Sequence, residues 1–333
     1  RQFHQFQPLP NWTTHEMGGT LGQRVTAIQR VGVYVPGGTA PLPSSLLMAV
    51  IPAQVAGVAE IVVATPPGKD GKVADVILAA AQICGVETIY TLGGAQAIAA
   101  MAFGTESVPR VDKIVGAGGL FTTLAKRQVY GIVGIDGLYG PTETAVVADD
   151  SADPAWVAAD LLAQAEHDIL ATAILFTPSM ALATAVQVEI GRQMETLSRA
   201  NTIATSLNGQ GGIVLTADVD EACRLASQFA AEHTCLAVAN PAAYAAKIPN
   251  AGGLFIGERS FEVLGDYVAG PSHVMPTSGT ARFASPLNVA DFVKITSIIQ
   301  LDDATSARLS PIAAQIAHAE GLTAHANAAK KRV

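Results

Sequence analysis

The sequence has little charge, few aromatic residues and no excess of basic residues. Charged residues make up 14% and aromatic residues 5% of the 333 residues, whereas 50% are hydrophobic. This composition excludes a globally disordered chain, because disorder requires high charge and few apolar side chains. The formal net charge of -8 would repel a polyanion, so we expect no nucleic-acid partner.

Cysteine is also scarce, with three residues in the chain. They are Cys84, Cys223 and Cys235, and neither their spacing nor their odd number indicates a disulfide framework. We therefore expect a reducing, cytoplasmic location. Cys235 follows His233 by two residues, which a nucleophilic Cys–His pair could use. The apolar stretch 234–238 instead favours a cysteine buried in a strand.

Long apolar runs are missing as well. Pro, Gly or polar residues interrupt every run before the roughly 20 residues that a membrane-spanning helix needs. The first residues do not form a basic-then-apolar signal segment. We therefore expect no membrane partner. Because the chain begins with Arg1 rather than Met, we also expect that an N-terminal part of the protein is missing.

Short β-branched segments alternate with helical patterns between residues 30 and 256. Residues 30–35 and 59–64 are typical of strands, and residues 44–56 between them have the apolar spacing of a helix. Such alternation predicts an α/β fold with Rossmann-like, doubly wound parallel sheets. The pattern forms two units of similar size that meet near Gly140-Pro141.

Other stretches do not follow this alternation. Residues 1–29 and 265–285 are rich in polar residues, Gly or Pro and are predicted to be irregular. From Asp291 the chain is predicted to be helical to its end. A single long helix is predicted over residues 181–200. Another is predicted from Pro154 to His167, with Asp153 as its N-cap.

Gln164 and His167 have the spacing i, i+3, which puts both on one face of that helix. Two potential ligands held in this way form a rigid half of a metal site. The spacing alone is also common among solvated polar pairs. Both interpretations remain open on this pattern.

Glu232 and His233 lie where a predicted helix gives way to a strand. A histidine titrates near neutral pH and suits a general base, and a carboxylate can activate water. The alternative is a histidine that interacts favourably with the C-terminal end of the helix dipole. The two residues are therefore candidates for proton transfer.

Further candidates lie in loops and near the C-terminus. Asp266 and His273 belong to the predicted irregular segment, and long loops of this kind often carry function; a turn-forming Asp is the alternative. His325 is a further potential metal ligand. The glycine-rich turn 116–119 could let the backbone approach a phosphate at a helix N-terminus, although glycine turns are common after strands.

Taken together and in order, these motifs resemble the histidinol dehydrogenase family. The matching stretches are VGVYVPGGTAPLPSS (31–45), GGAQAIAAMAFGTESVPRVDKIVG (93–116), GPTETAVVAD (140–149), DLLAQAEHD (160–168), AAEHT (230–234), GDYVAGPSHVMPTSGTARF (265–283) and EGLTAHANA (320–328). The resemblance covers almost the whole chain from Gln23 onward.

The resemblance implies one Zn²⁺ per subunit and a homodimer. Three zinc ligands would come from one subunit, Gln164, His167 and Asp266, and the fourth, His325, from a second copy. It implies that Glu232 and His233 transfer protons. The same three ligands with Thr142, His233, His273, Glu320 and His325 would bind substrate, and Tyr34, Gln96 and Gly119 would contact NAD.

The implied reaction is a four-electron oxidation of L-histidinol to L-histidine, through a bound aldehyde and with two NAD turnovers. The resemblance also suggests a division into domains. The first α/β domain would combine residues 1–33 and 144–287, the NAD-binding domain would be residues 34–143, and residues 288–333 would form a helical tail that helps dimerisation.

Three positions depart from the family pattern. Gly119 stands where the family usually has Asn, Thr142 where it usually has Ser, and the turn 137–140 (GLYG) where it usually has a sequence like MPAG. Two alternatives follow. One is a related dehydrogenase of another small polyol, such as a sulfonated propanediol, and the other is a zinc-binding homologue without activity. His273 and Glu320 favour histidinol, and the Glu232-His233 pair favours an enzyme.

Overall fold

The computed structural model describes residues 1–37 and 41–332. Its strands are β1 Trp12–Thr14, β2 Thr20–Ala27, β3 Arg30–Tyr34, β4 Glu60–Thr65, β5 Thr88–Thr91, β6 Lys113–Val115, β7 Gly134–Ile135, β8 Glu143–Ala148, β9 Thr172–Thr177, β10 Gly212–Leu215, β11 His233–Ala237, β12 Gly253–Ile256 and β13 Val293–Gln300. Its α-helices are α1 Pro43–Ala56, α2 Asp75–Cys84, α3 Gly94–Phe103, α4 Leu120–Val129, α5 Pro154–Ala165, α6 Met180–Met194, α7 Ala200–Gln210, α8 Val219–Phe229, α9 Pro241–Ala245, α10 Glu262–Tyr267, α11 Asp303–Ala319 and α12 Thr323–Lys330.

Two sheets are parallel throughout and share one strand order. The first sheet has the order β5-β4-β3-β6-β7 and the second sheet the order β10-β9-β8-β11-β12. In both, the first strand along the chain lies in the middle and pairs with the second and the fourth. This is the doubly wound arrangement. The predicted fold class is confirmed.

The middle strands of both sheets are covered on both faces. Val31 and Val33 in β3 and residues 145–148 in β8 are 0% exposed. Parallel strands buried on two sides have continuous apolar sequences rather than alternating ones. This explains why the segments around residues 31 and 145 are recognisable as strands from sequence.

Several helices that follow the strands begin differently in the two sheets, although α9 and α10 of the second sheet also have no N-cap side-chain bond. In α5, α6 and α8 the N-cap side chains Asp153, Ser179 and Asp218 accept hydrogen bonds from first-turn N–H groups. Helices α1 to α4, which follow strands of the first sheet, have no N-cap side-chain bond. The first N–H groups of these helices therefore have no side-chain cap, apart from the Gly94 N–H, which donates to the Tyr34 hydroxyl. The predicted N-cap at Asp153 is confirmed.

Some predicted elements of the α/β region differ from the structure. The long helix predicted over residues 181–200 is two helices, α6 and α7, separated by the residues after Met194. Asp266 lies on the short helix α10 instead of in an irregular segment. Strand β11 spans His233–Ala237, one residue earlier than the predicted stretch 234–238. In each case tertiary packing overrides a weak local pattern.

The described residues form two compact units, Arg1–Gln7 with Ile28–Phe292 and Pro8–Ala27 with Val293–Val333. The second unit contains an antiparallel sheet of order β1-β2-β13 and the helices α11 and α12. Predictions of an irregular start and of unbroken helix from Asp291 are therefore wrong. Strand β2 pairs with β13 over its whole length, between residues far apart in sequence, and no local pattern reports such a partner.

Strand pairing also differs from the predicted domain division. The sequence groups residues 1–33 with residues 144–287, whereas β3 is the middle strand of the first sheet, between β4 and β6. The predicted helical tail, residues 288–333, contains strand β13. None of the helices in the described ranges is both long and apolar enough to cross a bilayer.

Candidate active site

A polar cleft lies in the first unit, between the two parallel sheets. Ala117, which follows β6, belongs to its lining, as do Thr142, just before β8, and Glu232 and His233, where β11 begins. The first sheet thus contributes the carboxyl ends of its strands, as doubly wound folds usually do. The second sheet contributes the amino ends of its strands.

The chain reaches His233 through a tight turn after helix α8. Ala230 ends that helix in a left-handed conformation, with φ of 54°. A non-glycine residue in this region costs roughly 1–2 kcal/mol. Glu232 and His233 follow directly, and His233 pairs in register with Thr144 of β8. The strained turn therefore brings the acidic and basic side chains to the end of the sheet.

Glu232 and His233 are buried and close to a third charged group. His233 is 3% and Glu232 8% exposed. His233 Nε2 lies 3.1 Å from Asp266 Oδ1, and His233 Nδ1 lies 3.9 Å from Glu232 Oε2. Nδ1 has no hydrogen-bond partner among the described residues. The imidazole is thus held between two carboxylates, one on each ring nitrogen.

These contacts decide the protonation of the pair. Burial alone would lower the pKa of His233, but Glu232 and Asp266 outweigh it and raise the pKa to about 10. Burial raises the pKa of Glu232, although His233 and the Thr142 hydroxyl oppose that shift. Both groups therefore hold protons more firmly than they would in water.

Thr142 links the pair to the helix that carries Gln164. The Thr142 hydroxyl donates to Glu232 Oε2 at 2.5 Å and also contacts the Gln164 amide. When the amide oxygen of Gln164 accepts from the Glu143 N–H at 2.7 Å, its nitrogen donates to Glu262 Oε1 at 3.1 Å. Gln164, 1% exposed, is therefore fixed by neighbours on several sides.

His167, Asp266 and His273 also line the cleft. Burial lowers the pKa of His167 and of His273, so both rings are neutral near pH 7. Burial opposes ionisation of Asp266, but the hydrogen bond from His233 and the electrostatic effects of His233, His273 and His167 together outweigh it and lower the pKa of the carboxyl group. His273 Nδ1 lies 3.0 Å from the Asp266 carbonyl oxygen.

The donor chemistry of these side chains fits zinc. A neutral imidazole at His167 and a carboxylate at Asp266 are ligands of the kind that zinc accepts, whereas the amide oxygen of Gln164 would be a rare zinc ligand. No three His, Cys, Asp or Glu side chains of residues 1–37 and 41–332 converge as a metal-holding group. A full ligand set from this cleft would therefore need the glutamine and one further donor.

The predicted nucleotide contacts lie at the carboxyl edge of the first sheet. Tyr34 ends β3, and its hydroxyl accepts from the Gly94 N–H at 3.1 Å. Gln96 lies in the first turn of α3, and Gly119 is the N-cap of α4. Gly116 has a φ of +108°, and a Cβ there would lie 2.2 Å from the Tyr34 carbonyl oxygen, so only glycine fits. The turn thus packs backbone against backbone.

Two predicted site residues belong to the second unit. Glu320 follows α11 and His325 lies on α12, and both side chains are exposed. Their proposed roles as substrate and metal ligands remain predictions. The same holds for the assignments of the cleft residues, which the structure brings together but which no bound molecule tests.

The sequence did not predict two buried acids, Glu262 and Glu143, whereas the departure from the family turn indicates Tyr139 near the substrate or nicotinamide. Glu262 is 1% exposed and its pKa is raised by burial to about 8; burial also raises the pKa of Glu143 to about 7. Tyr139, 7% exposed, lines the cleft. Glu262 belongs to no motif singled out above, and only Tyr139 had a signal, its departure from the family turn.

The alternative nucleophile Cys235 is ruled out by its surroundings. It is 5% exposed within β11, and burial with the carboxylates of Glu262 and Asp160 raises the pKa of its thiol well above the ordinary value. A thiol that stays protonated is a poor nucleophile. The prediction of a cysteine buried in a strand is confirmed.

Comparisons with known proteins agree over the whole chain. The family model "Histidinol dehydrogenase" matches residues 1–333. The chain is 53% identical to histidinol dehydrogenase from Deinococcus radiodurans and 50% identical to that from Dechloromonas aromatica, in each case over 100% of this chain and 77% of the relative.

Solved structures give the same picture. Histidinol dehydrogenase from Elizabethkingia anophelis superposes with a TM-score of 0.95 at 36% identity, over 99% of this chain and 77% of that one. Propionaldehyde dehydrogenase from Rhodopseudomonas palustris gives a TM-score of 0.56 at 12% identity, over 88% and 77%, and shares the fold alone.

Two doubly wound sheets around a cleft with a buried acid–base pair define an α/β enzyme. The whole-chain family match and the sequence identities above then identify the enzyme family. The chain belongs to the histidinol dehydrogenase family and is by that membership a dehydrogenase.

Proposed function

We propose that this protein oxidises L-histidinol to L-histidine with NAD as electron acceptor. The observation that carries the proposal is the buried Glu232-His233 pair, beside Thr142 and facing Asp266 in one cleft. Family membership supports histidinol as the substrate, because the relatives named above are histidinol dehydrogenases.

The overall reaction has two oxidation steps. The alcohol loses a proton and a hydride to become an aldehyde, water adds to the aldehyde, and the hydrate loses a second hydride to become a carboxylate. In total, one alcohol, one water and two NAD⁺ give one carboxylate, two NADH and three protons. When bound, NAD accepts the hydrides, and zinc held by Gln164, His167, Asp266 and His325 of a second copy orients the substrate.

The residues of this chain supply the proton transfers. His233 would take the alcohol proton in its neutral form, which is favoured once Asp266 binds zinc instead of the His233 ring, and Glu232 beside Nδ1 would stabilise the imidazolium that results. Glu232 takes a proton from the water that attacks the aldehyde, and its buried position makes it a stronger base than an exposed carboxylate. His273, held through Nδ1, leaves Nε2 for the substrate.

The free N–H groups at the carboxyl edge of the first sheet support a nucleotide site there. Helices α3 and α4 begin at glycines without a side-chain cap, and phosphate groups bind at such helix ends. Tyr34, Gln96 and Gly119 lie on this edge. We propose that they contact NAD.

The test is NADH formation by zinc-loaded protein with L-histidinol, beside a panel of other small alcohols and polyols. Two NADH per histidinol, lost with a chelator and in His233→Ala, would support the proposal. Turnover of another alcohol alone would keep the mechanism and change the substrate. No turnover across the panel would favour a binding protein without activity.

We also propose that the enzyme is a cytoplasmic homodimer with sites shared between copies. The support is that no three His, Cys, Asp or Glu side chains of residues 1–37 and 41–332 come together as a metal-holding group, so a zinc site in this cleft would need a further ligand from elsewhere. Mixing inactive His233→Ala and His325→Ala proteins should restore activity in heterodimers, since one site then has all its residues. Mixtures as inactive as their components would contradict a shared site.

A further inference from the structure

Tyr139 lies in the segment that connects the first sheet to the second. The residue is 7% exposed and lines the cleft together with Ala117, which follows β6 of the first sheet, and Thr142, which contacts the acid–base pair. The Thr123 hydroxyl donates to its carbonyl oxygen at 2.8 Å. The ring is therefore held where the two sides of the site meet.

A buried ion pair supports the ring. Lys126 Nζ lies 4.8 Å from the centre of the Tyr139 ring and forms a salt bridge with Asp136 at 2.5 Å. Lys126 also donates to the Gly116 carbonyl oxygen at 2.9 Å, and Asp136 accepts from the Gly116 N–H at 2.7 Å. The position of Tyr139 is thereby tied to the same turn that borders the proposed nucleotide site.

Gly137 provides the space that the ring occupies. A Cβ at Gly137 would lie 3.1 to 3.2 Å from Tyr139 Cζ, Cε1 and the hydroxyl oxygen, tighter than ordinary contact. Gly137 does not have a positive φ, so its backbone conformation does not require glycine. The ring of Tyr139 is the feature that does, and the two residues form one packing unit.

We propose that Tyr139, accommodated by Gly137, is a specificity-determining residue that limits the size of the substrate ring beside Thr142. The aromatic ring packs in a buried core cluster with Lys126 against it, so moving the ring away from the cleft would disrupt those contacts. A substrate whose ring carries an extra group would then clash with the Tyr139 ring, which thus acts as a wall. The identity of the substrate rests on the proposed function; the wall itself does not.

The test compares L-histidinol with ring-N-methylated L-histidinol in zinc-loaded protein. We expect the wild type and Tyr139→Phe, which keeps the ring, to favour histidinol in kcat/KM by about tenfold or more. Tyr139→Ala should reduce that preference by about tenfold. An unchanged preference in Tyr139→Ala, or the same loss in Tyr139→Phe, would overturn the proposal.

Two further measurements keep the proposal testable if Tyr139→Ala is unstable or if histidinol is not oxidised. Gly137→Ala should lower Tm by about 2–4 °C in the wild type and not in Tyr139→Leu, because the added Cβ meets the ring only when a ring is present. Equal shifts in both backgrounds would refute the packing unit.

If the wild type oxidises neither alcohol, binding of imidazole and benzimidazole followed by NMR decides the question. The wild type and Tyr139→Phe should bind imidazole in preference to benzimidazole, and Tyr139→Leu should bind both. Equal binding of the two in the wild type, or binding of neither in any variant, would count against a size-selecting wall, and the failed turnover would count separately against the proposed function.

Discussion

The first and second sheets have the same strand order but differ in how their helices begin. After the strands of the second sheet, α5, α6 and α8 are capped by Asp153, Ser179 and Asp218. After the strands of the first sheet, α1 to α4 have no side-chain cap. A carboxylate cap both occupies the N–H groups and repels an anion. Helices α9 and α10 of the second sheet also lack a cap, so the two edges differ in their capacity for binding phosphate at α5, α6 and α8.

The turn 116–119, between β6 and α4, needs another support because no N-cap side chain holds the start of α4. Lys126 and Asp136 supply this support by hydrogen bonds to the backbone of Gly116. This arrangement leaves the first N–H groups of α4 without a side-chain cap. The second sheet, in contrast, contributes buried carboxyl groups with raised pKa values, Glu143 and Glu262 among them. The first sheet thus presents backbone N–H donors, and the second sheet presents buried carboxyl groups.

The largest expected effect comes from removing the support of the first sheet. Lys126→Met leaves Asp136 buried without a counter-charge, which should cost about 3–5 kcal/mol in the free energy of unfolding. The variant should also bind NAD more weakly, because the Gly116 turn loses its fixed position. Urea unfolding and NAD titration measure the two effects.

Arg127→Met is the matched control for that change. Arg127 is exposed on the same helix, so we expect a change within about 0.5 kcal/mol. Similar losses in both variants would mean that the substitution acts through the helix rather than through the ion pair.

The second prediction removes a cap from the second sheet. Asp218 Oδ1 accepts from the Glu221 N–H at 2.8 Å at the start of α8. Asp218→Ala should lower the free energy of unfolding by about 1 kcal/mol, whereas Asp218→Asn, which keeps the bond, should change it little. NAD affinity should stay the same in both. Weaker NAD binding by Asp218→Ala would indicate that NAD binds at the second sheet rather than at the first.

The third prediction concerns the acids of the second sheet. Burial, with help from Glu258, raises the pKa of Asp160 from 3.8 to about 7. Because the folded state holds this proton more tightly, its contribution to stability is complete below pH 3.8 and is lost as the pH rises to about 7. Asp160→Asn should therefore be more stable than the wild type above about pH 7, with the difference vanishing in acid.

Thermal unfolding across this pH range measures the difference. A constant difference between the two proteins at all pH values would show that Asp160 titrates normally. Asp70→Asn, at an exposed acid near the first sheet, is the control variant for this comparison.

Much of this comparison is accessible from sequence, and part of it is not. The strands around Val31 and Ala145 are buried on both faces, and their apolar runs identify them. The cap at Asp153 follows from its place before Pro154. The antiparallel pairing of β2 with β13 is not predictable locally, because its partners are separated by most of the chain.

The active site, too, can be predicted from the sequence only in part. Motifs bring attention to Glu232, His233 and Asp266 one by one, but their distances arise from the strained turn at Ala230 and the placement of α10. Glu262 and the support of Tyr139 by Lys126 depend on packing between distant segments. Residue types can therefore be predicted from motifs, whereas the charge environment that sets their pKa values requires the fold.

The smallest expected change in stability comes from giving the first sheet the cap that it lacks. Gly119 has a negative φ, and no heavy atom lies within 4 Å of the position that a Cβ would take, so a side chain fits there without strain. Gly119→Asp should cap α4 as Asp218 caps α8, with a gain of only a few tenths of a kcal/mol, since glycine is itself a fair N-cap.

The effect on the nucleotide should be far larger than the effect on stability. Gly119→Asp would occupy the N–H groups of α4 and place a negative charge where a pyrophosphate would bind, so NAD affinity should fall by about tenfold or more. Gly119→Asn, a cap of the same shape without the charge, should retain or improve the affinity. Calorimetric titration with NAD compares the three proteins, and equal affinities for the Asp and Asn variants would show that the pyrophosphate does not lie at α4.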